Sequence, residues 1–216
     1  MKKLVLVLAA TGLVSAQVAT HANERYRSKE GREAIAKTLG DPHRDTRQKP
    51  DELVRALTIQ PGMTVADLGT GIGYMLPFLS RAVGAQGRVV AQDIFGDFLD
   101  QAKKRAADSA LTNVSFVLGT DKDPKLEKGS ADLVLILDAY HHFDYPEKML
   151  DGIREALKER GRLAIVDFYK SGFRDPAHIR LDEGDAIKEI QANGFRLLSS
   201  GPLVEKTQYI ALFERQ

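Results

Sequence analysis

The residues able to do chemistry fall at four places along the chain. Asp67 precedes the run Gly69-Thr70-Gly71-Ile72-Gly73, with Tyr74 next to it. Asp93-Ile94, Thr120-Asp121 and the group Asp138-Ala139-Tyr140-His141-His142 come after it. Glycines let the backbone turn sharply and approach a ligand closely. The glycine run ends an apolar stretch and opens a helical one, and such turns bind ligands in open α/β sheets. It is not a phosphate loop: there is no G-x-x-x-x-G-K-[ST]. A dinucleotide turn, G-x-G-x-x-G, would need its third glycine at Tyr74, yet it stands at Gly73. Asp67 would repel a pyrophosphate but accept strong charge-assisted bonds from an ammonium group.

The other acids extend this reading. Asp93, about twenty residues past the loop, can take ribose hydroxyls in its two oxygens, with Ile94 beside the sugar. Thr120 and Asp121 can meet an adenine amino group. Each acid alone could equally cap a loop, since Asp favours turns. Together they fit an adenosyl ligand with a cationic amino-acid tail and no phosphates, which describes S-adenosyl-L-methionine. Asp67, Gly69, Thr70, Gly71, Gly73, Tyr74, Asp93, Ile94, Thr120, Asp121 and Asp138 are therefore the candidate cofactor residues.

His141 and His142, with Asp138 close by, are the candidate catalytic groups. Histidine titrates near neutral pH and suits removal of a phenol or enol proton. One histidine of the pair is expected in the site, because consecutive side chains rarely face the same way; packing against the cofactor is the alternative role. A Mg²⁺ site from Asp138, His141, His142 and Asp167 is disfavoured by the neighbouring Lys170, a poor companion for a dication, and no metal is expected. Tyr140, Phe143, Tyr145, Phe168 and Tyr169 could wall an aromatic acceptor pocket, with core packing expected for at least half of them.

The elements that must position these groups are legible. Strands are expected at Thr64–Asp67, Arg88–Asp93, Val114–Leu118, Asp132–Leu137, Arg162–Phe168, Phe195–Ser200 and Gln208–Glu214. Helices are expected at Tyr74–Val83, Asp97–Asp108, Pro146–Lys158 and Glu183–Ala192. Such alternation means βαβ units and a parallel sheet. Leu133 to Leu137 is apolar without a break, as a strand covered on both faces requires. Upstream, a short helix ending near Gly40 and a second over Pro50–Leu57 make a polar cover. Its basic residues, Arg25, Arg27, Lys29, Arg32, Arg44, Arg47 and Lys49, are expected on a solvated surface rather than over an anionic ligand.

At the N-terminus, Met1-Lys2-Lys3, the apolar run Leu4–Val14 and small residues after it have the order of a secretory signal. The run is too short for a membrane span of ~20 residues. Three segments are expected: a leader over residues 1–22, a helical cover over 23–60, and a binding domain over 61–216. The protein is expected to be secreted or periplasmic, without a stable membrane span once the leader is removed; a cytoplasmic location is the alternative if the start site is misassigned. Cleavage after Ala16 or Ala22 would leave Gln17 or Asn23 first. The 216 residues carry a formal charge of +1 and no cysteine. Disulfides, thiolate metal centres and thiolate nucleophiles are thereby excluded, and bulk electrostatics do not favour nucleic acid.

The motif Asp67–Gly73, with Ser130-Ala131-Asp132-Leu133-Val134, Asp138–Phe143 and Gly161–Asp167, resembles the class I S-adenosylmethionine-dependent methyltransferases. Among these it is most similar to the small ubiquinone and menaquinone type. The resemblance implies an α/β fold: a Rossmann-like, doubly wound sheet of seven strands in the order 3-2-1-4-5-7-6, with strand 7 antiparallel. It also implies the loop at the methionyl group, Asp93 at the ribose and Thr120–Asp121 at the adenine. The Asn/Asp-Pro-Pro-Tyr turn of exocyclic-amine methylation is missing, and cytosine C5 or arsenite chemistry lacks its cysteines. Methyl transfer to oxygen or carbon of a small molecule is the expectation. A non-catalytic binder of the same cofactor and a nicotinamide-dependent oxidoreductase are the alternatives.

Overall fold

The computed structural model describes residues 17–216. The leader expected over residues 1–22 therefore lies outside the described residues as far as residue 16. Seven strands form one sheet in the order β3-β2-β1-β4-β5-β7-β6. They are β1 (Thr64–Leu68), β2 (Arg88–Asp93), β3 (Val114–Leu118), β4 (Ala131–Leu137), β5 (Leu157–Phe168), β6 (Phe195–Val204) and β7 (Gln208–Arg215). The first five run parallel, and β7 is antiparallel to both neighbours. The expected order and the antiparallel ending are both present.

The helices are α1 (Lys29–Leu39), α2 (Arg44–Gln48), α3 (Pro50–Leu57), α4 (Leu76–Val83), α5 (Gly96–Asp108), α6 (Pro146–Ala156) and α7 (Glu183–Ala192). The period of two along each strand sorts its side chains between two cores. Val134 and Ile136 face the core made with Met149, Leu150 and Ile153 of α6 and Ile190 of α7. Leu133, Leu135 and Leu137 face the core made with Leu53 and Leu57 of α3 and Leu76 and Leu79 of α4. The unbroken apolar run of β4 is thus buried on both sides, and that burial makes β4 the centre of the sheet.

Two helix boundaries differ from expectation by two residues, and α5 begins one residue early, at Gly96. The helix over 146–158 stops at Ala156, and Leu157 already pairs with Ala131 of β4. Close crossing there is possible because a Cβ at Gly161 would lie 2.8 Å from the Ala131 carbonyl oxygen. The helix expected from Tyr74 begins at Leu76, because Gly73 holds φ at +78°, outside the helical region. The chain forms α2 and a single 3₁₀ turn at Glu24–Arg27 where no element was expected. β1 and β4 are adjacent while β2 lies on the other side of β1, so the crossover direction reverses at that point. A crevice forms outside the strand ends where this reversal occurs.

Candidate active site

Burial and backbone bonds shape the glycine loop. Gly69 N–H and Thr70 N–H both donate to the Gln92 carbonyl at 2.9 Å, and Gly71 N–H donates to Asp93 Oδ2 at 2.8 Å. The end of β2 therefore holds the turn after β1. At Gly69, φ is +76° and a Cβ would lie 2.7 Å from the Ala139 Cβ, so only glycine fits. Asp67 is 2% exposed and accepts from Thr70 Oγ1 at 2.6 Å. Burial lifts its carboxyl to about 6, and the same cause lifts Asp93 to about 6.

A cavity of about 570 Å³ opens over these strand ends, within the ~300–1,000 Å³ of small-ligand sites. Gly69, Thr70, Gly71, Asp93, Ile94, Thr120, Asp121, Asp138 and His142 all line it. Asp67, Gly73, Tyr74 and His141 are not among its wall residues. Tyr74 turns away, donating to Asp45 Oδ1 at 2.8 Å beneath the Arg44 guanidinium, whose carbon is 4.0 Å from the ring centre. Gly73 sits under the loop, where a Cβ would meet Leu76 Cδ1 at 2.7 Å. The Thr120 hydroxyl is engaged in its own turn, accepting from Asp123 N–H at 3.0 Å.

Asp138 closes one side at the end of β4, with φ at +53°. Its Oδ1 accepts from Gln208 Nε2 at 2.5 Å, and Oδ2 from Arg44 at 3.5 Å. Burial still lifts the carboxyl to about 7, overcoming the arginine. Gln48 donates to Gln208 at 3.0 Å, which ties α2 to β7 behind this carboxylate. Arg44 and Arg32 are thus largely buried against Asp138 and Asp97, unlike the solvated surface expected of the basic segment. Arg25, Arg27, Lys29, Arg47 and Lys49 are exposed as expected.

The histidines separate. His142 lines the cavity, whereas His141 is 4% exposed behind it. His141 N–H donates to Asp167 Oδ2 at 3.0 Å, and its Nδ1 lies 2.7 Å from Asp167 Oδ1. An ionised carboxylate only accepts, so Nδ1 carries a proton, and in the neutral ring Nε2 holds the lone pair. Asn23 Nδ2 donates to the His142 carbonyl at 2.9 Å, leaving Asn23 Oδ1 to accept from His142 Nδ1 at 2.9 Å. His142 is fixed in the same tautomer, and burial holds it well below the ordinary histidine value. Of the five aromatic residues considered, Phe143 reaches the wall. Tyr140 is buried and donates to Glu189 at 2.6 Å, and Tyr169 packs on Tyr209.

Sequence reasoning missed Asn23, Tyr26, Arg44, Gln92 and Gln208. Tyr26 comes from the turn before α1, stands edge-on to His142 with centroids 4.7 Å apart, and covers the cavity beside Phe95. Burial lifts its hydroxyl to about 12. No local pattern marks these residues. Gln92 Nε2 is a buried donor on the wall without a partner among the described residues. An orphan donor, the wall carboxylates Asp93, Asp121 and Asp138, and an apolar edge at Ile94 and Phe143 fit an adenosyl ligand with a cationic tail.

The comparisons agree. The family described as "Methyltransferase domain" matches residues 59–201. A ubiquinone/menaquinone biosynthesis C-methyltransferase of Vibrio vulnificus is 30% identical over 118 residues, 54% of this chain and 45% of that protein. An arsenite methyltransferase of Halobacterium salinarum is 24% identical over 163 residues, 70% of this chain and 42% of that protein. The chain thus spans less than half the length of these curated relatives. The crystal structure of a SAM-dependent methyltransferase from Aquifex aeolicus superposes with a TM-score of 0.79 at 26% identity, covering 83% of this chain and 96% of that one. With its strand order, its glycine loop and the match over residues 59–201, the chain belongs to the class I S-adenosylmethionine-dependent methyltransferases.

Proposed function

We propose that this protein transfers a methyl group from S-adenosylmethionine to oxygen or carbon of a small-molecule acceptor. The observation that carries the reading is one cavity lined both by the glycine loop, Asp93 and Asp138 and by the His142 ring, Tyr26 and Phe143. The first group would take the cofactor, and the second would mark the acceptor end. Gly69 to Gly71, Asp93, Ile94, Gln92 and Asp121 would hold the cofactor, with Asp138 toward its ammonium group. The bound cofactor supplies an electrophilic methyl on a sulfonium centre. The chain's own part is positioning, which can supply most of the acceleration of a bimolecular displacement. Tyr26 and Phe143 exclude water from the acceptor end, and His142 there assists loss of the acceptor proton. A cavity of about 570 Å³ and a charge of +1 favour a small molecule over nucleic acid.

The test is binding followed by transfer. S-adenosylhomocysteine should bind residues 17–216 with a Tm rise of roughly 5–10 °C at a hundred times Kd, and NAD should not. Labelled methyl should then appear on a phenol or quinol from a small panel. Absence of cofactor binding would end the reading. Binding with no transfer to any acceptor would favour the non-catalytic alternative.

We further propose export, on the basic start and apolar run of residues 1–14. Among the described residues no helix is long and apolar enough to cross a membrane. Residues 17–22 favour Gln17 over Asn23 as the first mature residue. Val18 N–H and Ala19 N–H bond Asp144 at 3.1 and 3.2 Å, and Ala19 and Ala22 are buried. Mass spectrometry of the native protein should find Gln17 first; an intact Met1 would overturn export.

A further inference from the structure

We propose that His141, His142 and His178 form a site for a divalent transition-metal ion of the zinc type, bordering the acceptor end of the cavity. One donor nitrogen from each ring lies within 4.8 Å of the other two. The His141 and His142 rings are tilted with centroids 4.1 Å apart, and each stands edge-on to His178 with centroids 5.1 Å apart. Nitrogens bound at 2.0–2.1 Å to one tetrahedral zinc stand roughly 3.3 Å apart. Small rotations close the difference, and His178, half-buried on the loop before α7, has room to make them.

The surroundings point the same way. Asp167 and Asn23 each hold the Nδ1–H of one ring, at 2.7 and 2.9 Å, so both Nε2 lone pairs are left for a ligand. No described residue hydrogen-bonds either Nε2, and lone pairs gathered in one partly buried cluster suit a cation. A carboxylate or amide on the far nitrogen is what metal-bound histidines ordinarily carry. Phe173 stacks on His178, with centroids 5.1 Å apart and planes 10° from parallel, and steadies the third ring. All three donors are imidazoles, which suit zinc, copper, nickel or iron rather than the hard Mg²⁺ ion. Asp167, an oxygen that a Mg²⁺ site would have needed, is occupied with His141.

Three protein ligands leave a zinc position open, and His142 puts the cluster at the cavity wall. Resting on the proposed methyl transfer, the use is this: an acceptor hydroxyl binds the ion as its oxyanion and releases its proton to water. The ion then replaces a histidine as the agent that lowers the proton's affinity.

The test uses metal-stripped protein, residues 17–216, titrated with Zn²⁺ alone and separately with S-adenosylhomocysteine. One Zn²⁺ per chain is expected, and Co²⁺ in its place should give the visible absorption of a nitrogen-ligated, low-coordinate ion. Asp167→Asn should weaken Zn²⁺ by about 10–100-fold, and His178→Ala by more. His178 lies outside the cavity wall, so its variant should bind S-adenosylhomocysteine like wild type and thereby report that the fold is intact. Absence of stoichiometric Zn²⁺ binding, or a His178→Ala protein that binds it unchanged, overturns the site. Zn²⁺ binding without S-adenosylhomocysteine binding would instead count against the methyltransferase function alone.

Discussion

Replacing Asp93 by asparagine separates what this carboxylate does for the fold from what it does for a ligand. Its Oδ2 accepts from Gly71 N–H at 2.8 Å and its Oδ1 from Phe95 N–H at 3.0 Å. The amide keeps one acceptor and turns a donor toward the other N–H, leaving a buried donor unsatisfied at a cost of about 1–3 kcal/mol. Against this, burial lifts the carboxyl from 3.8 to about 6. Holding it ionised at pH 7.5 costs roughly 3 kcal/mol relative to the unfolded chain, and the amide removes that cost. The two effects nearly cancel, and Tm at pH 7.5 should move by no more than about 5 °C.

Ligand affinity has no such offset. Two sugar hydroxyls would meet a neutral amide in place of a carboxylate, a loss of about 1.4–2.8 kcal/mol or 10–100-fold in Kd. Calorimetric titration with S-adenosylhomocysteine measures this. Scanning calorimetry from pH 4 to 7.5 adds a second signature. The folded carboxyl binds its proton more tightly than the unfolded one. Its stabilising contribution is therefore full below pH 3.8 and is lost as pH rises through about 6. The variant should lack that decline. A Kd within about threefold of wild type would refute the sugar contact. A Tm fall of more than about 10 °C would refute the cancellation.

Three further outcomes are expected. Gly73→Ala puts a Cβ at a φ of +78° and 2.7 Å from Leu76 Cδ1; it should cost about 2–4 kcal/mol, read as a Tm fall of roughly 5–15 °C. Cofactor affinity should rise between pH 6 and 8 as Asp138, lifted to about 7, ionises. Gln208→Leu removes a donor from that carboxylate, so the rise should move to higher pH in titrations of Kd against pH. Tyr26→Ala opens the cover over His142 and should weaken S-adenosylhomocysteine by about 10-fold, the scale of a lost aromatic contact, with a fall in Tm because the ring also packs on Phe95 and Phe98.

Much of the fold was readable because its signals are local. The ends of β2 and β3 match the apolar runs residue for residue, and α3 begins at Pro50, where the missing N–H is harmless. The boundary at Ala156 was not readable. Residues to Lys158 keep helical composition, and only the pairing of Leu157 with Ala131 pulls them into the sheet. Leu76, rather than Tyr74, starts α4 because a backbone angle at Gly73 overrides propensity.

For the site, the sequence alone determined the glycine loop, the acids at the ends of β1, β2 and β4, and the histidine pair. These are short-range features: a turn needs particular φ angles, and each strand end fixes the place of the few residues after it. The tertiary structure decided which of them face the cavity and what surrounds them. It placed His142 on the wall and His141 behind it. It brought Asn23 across 119 positions to hold His142, and His178 to complete a cluster. Gln48 reached across 160 positions to Gln208 behind Asp138. Contacts of that range leave no periodic trace along the chain, because packing of whole elements sets them rather than the conformational preferences of neighbouring residues.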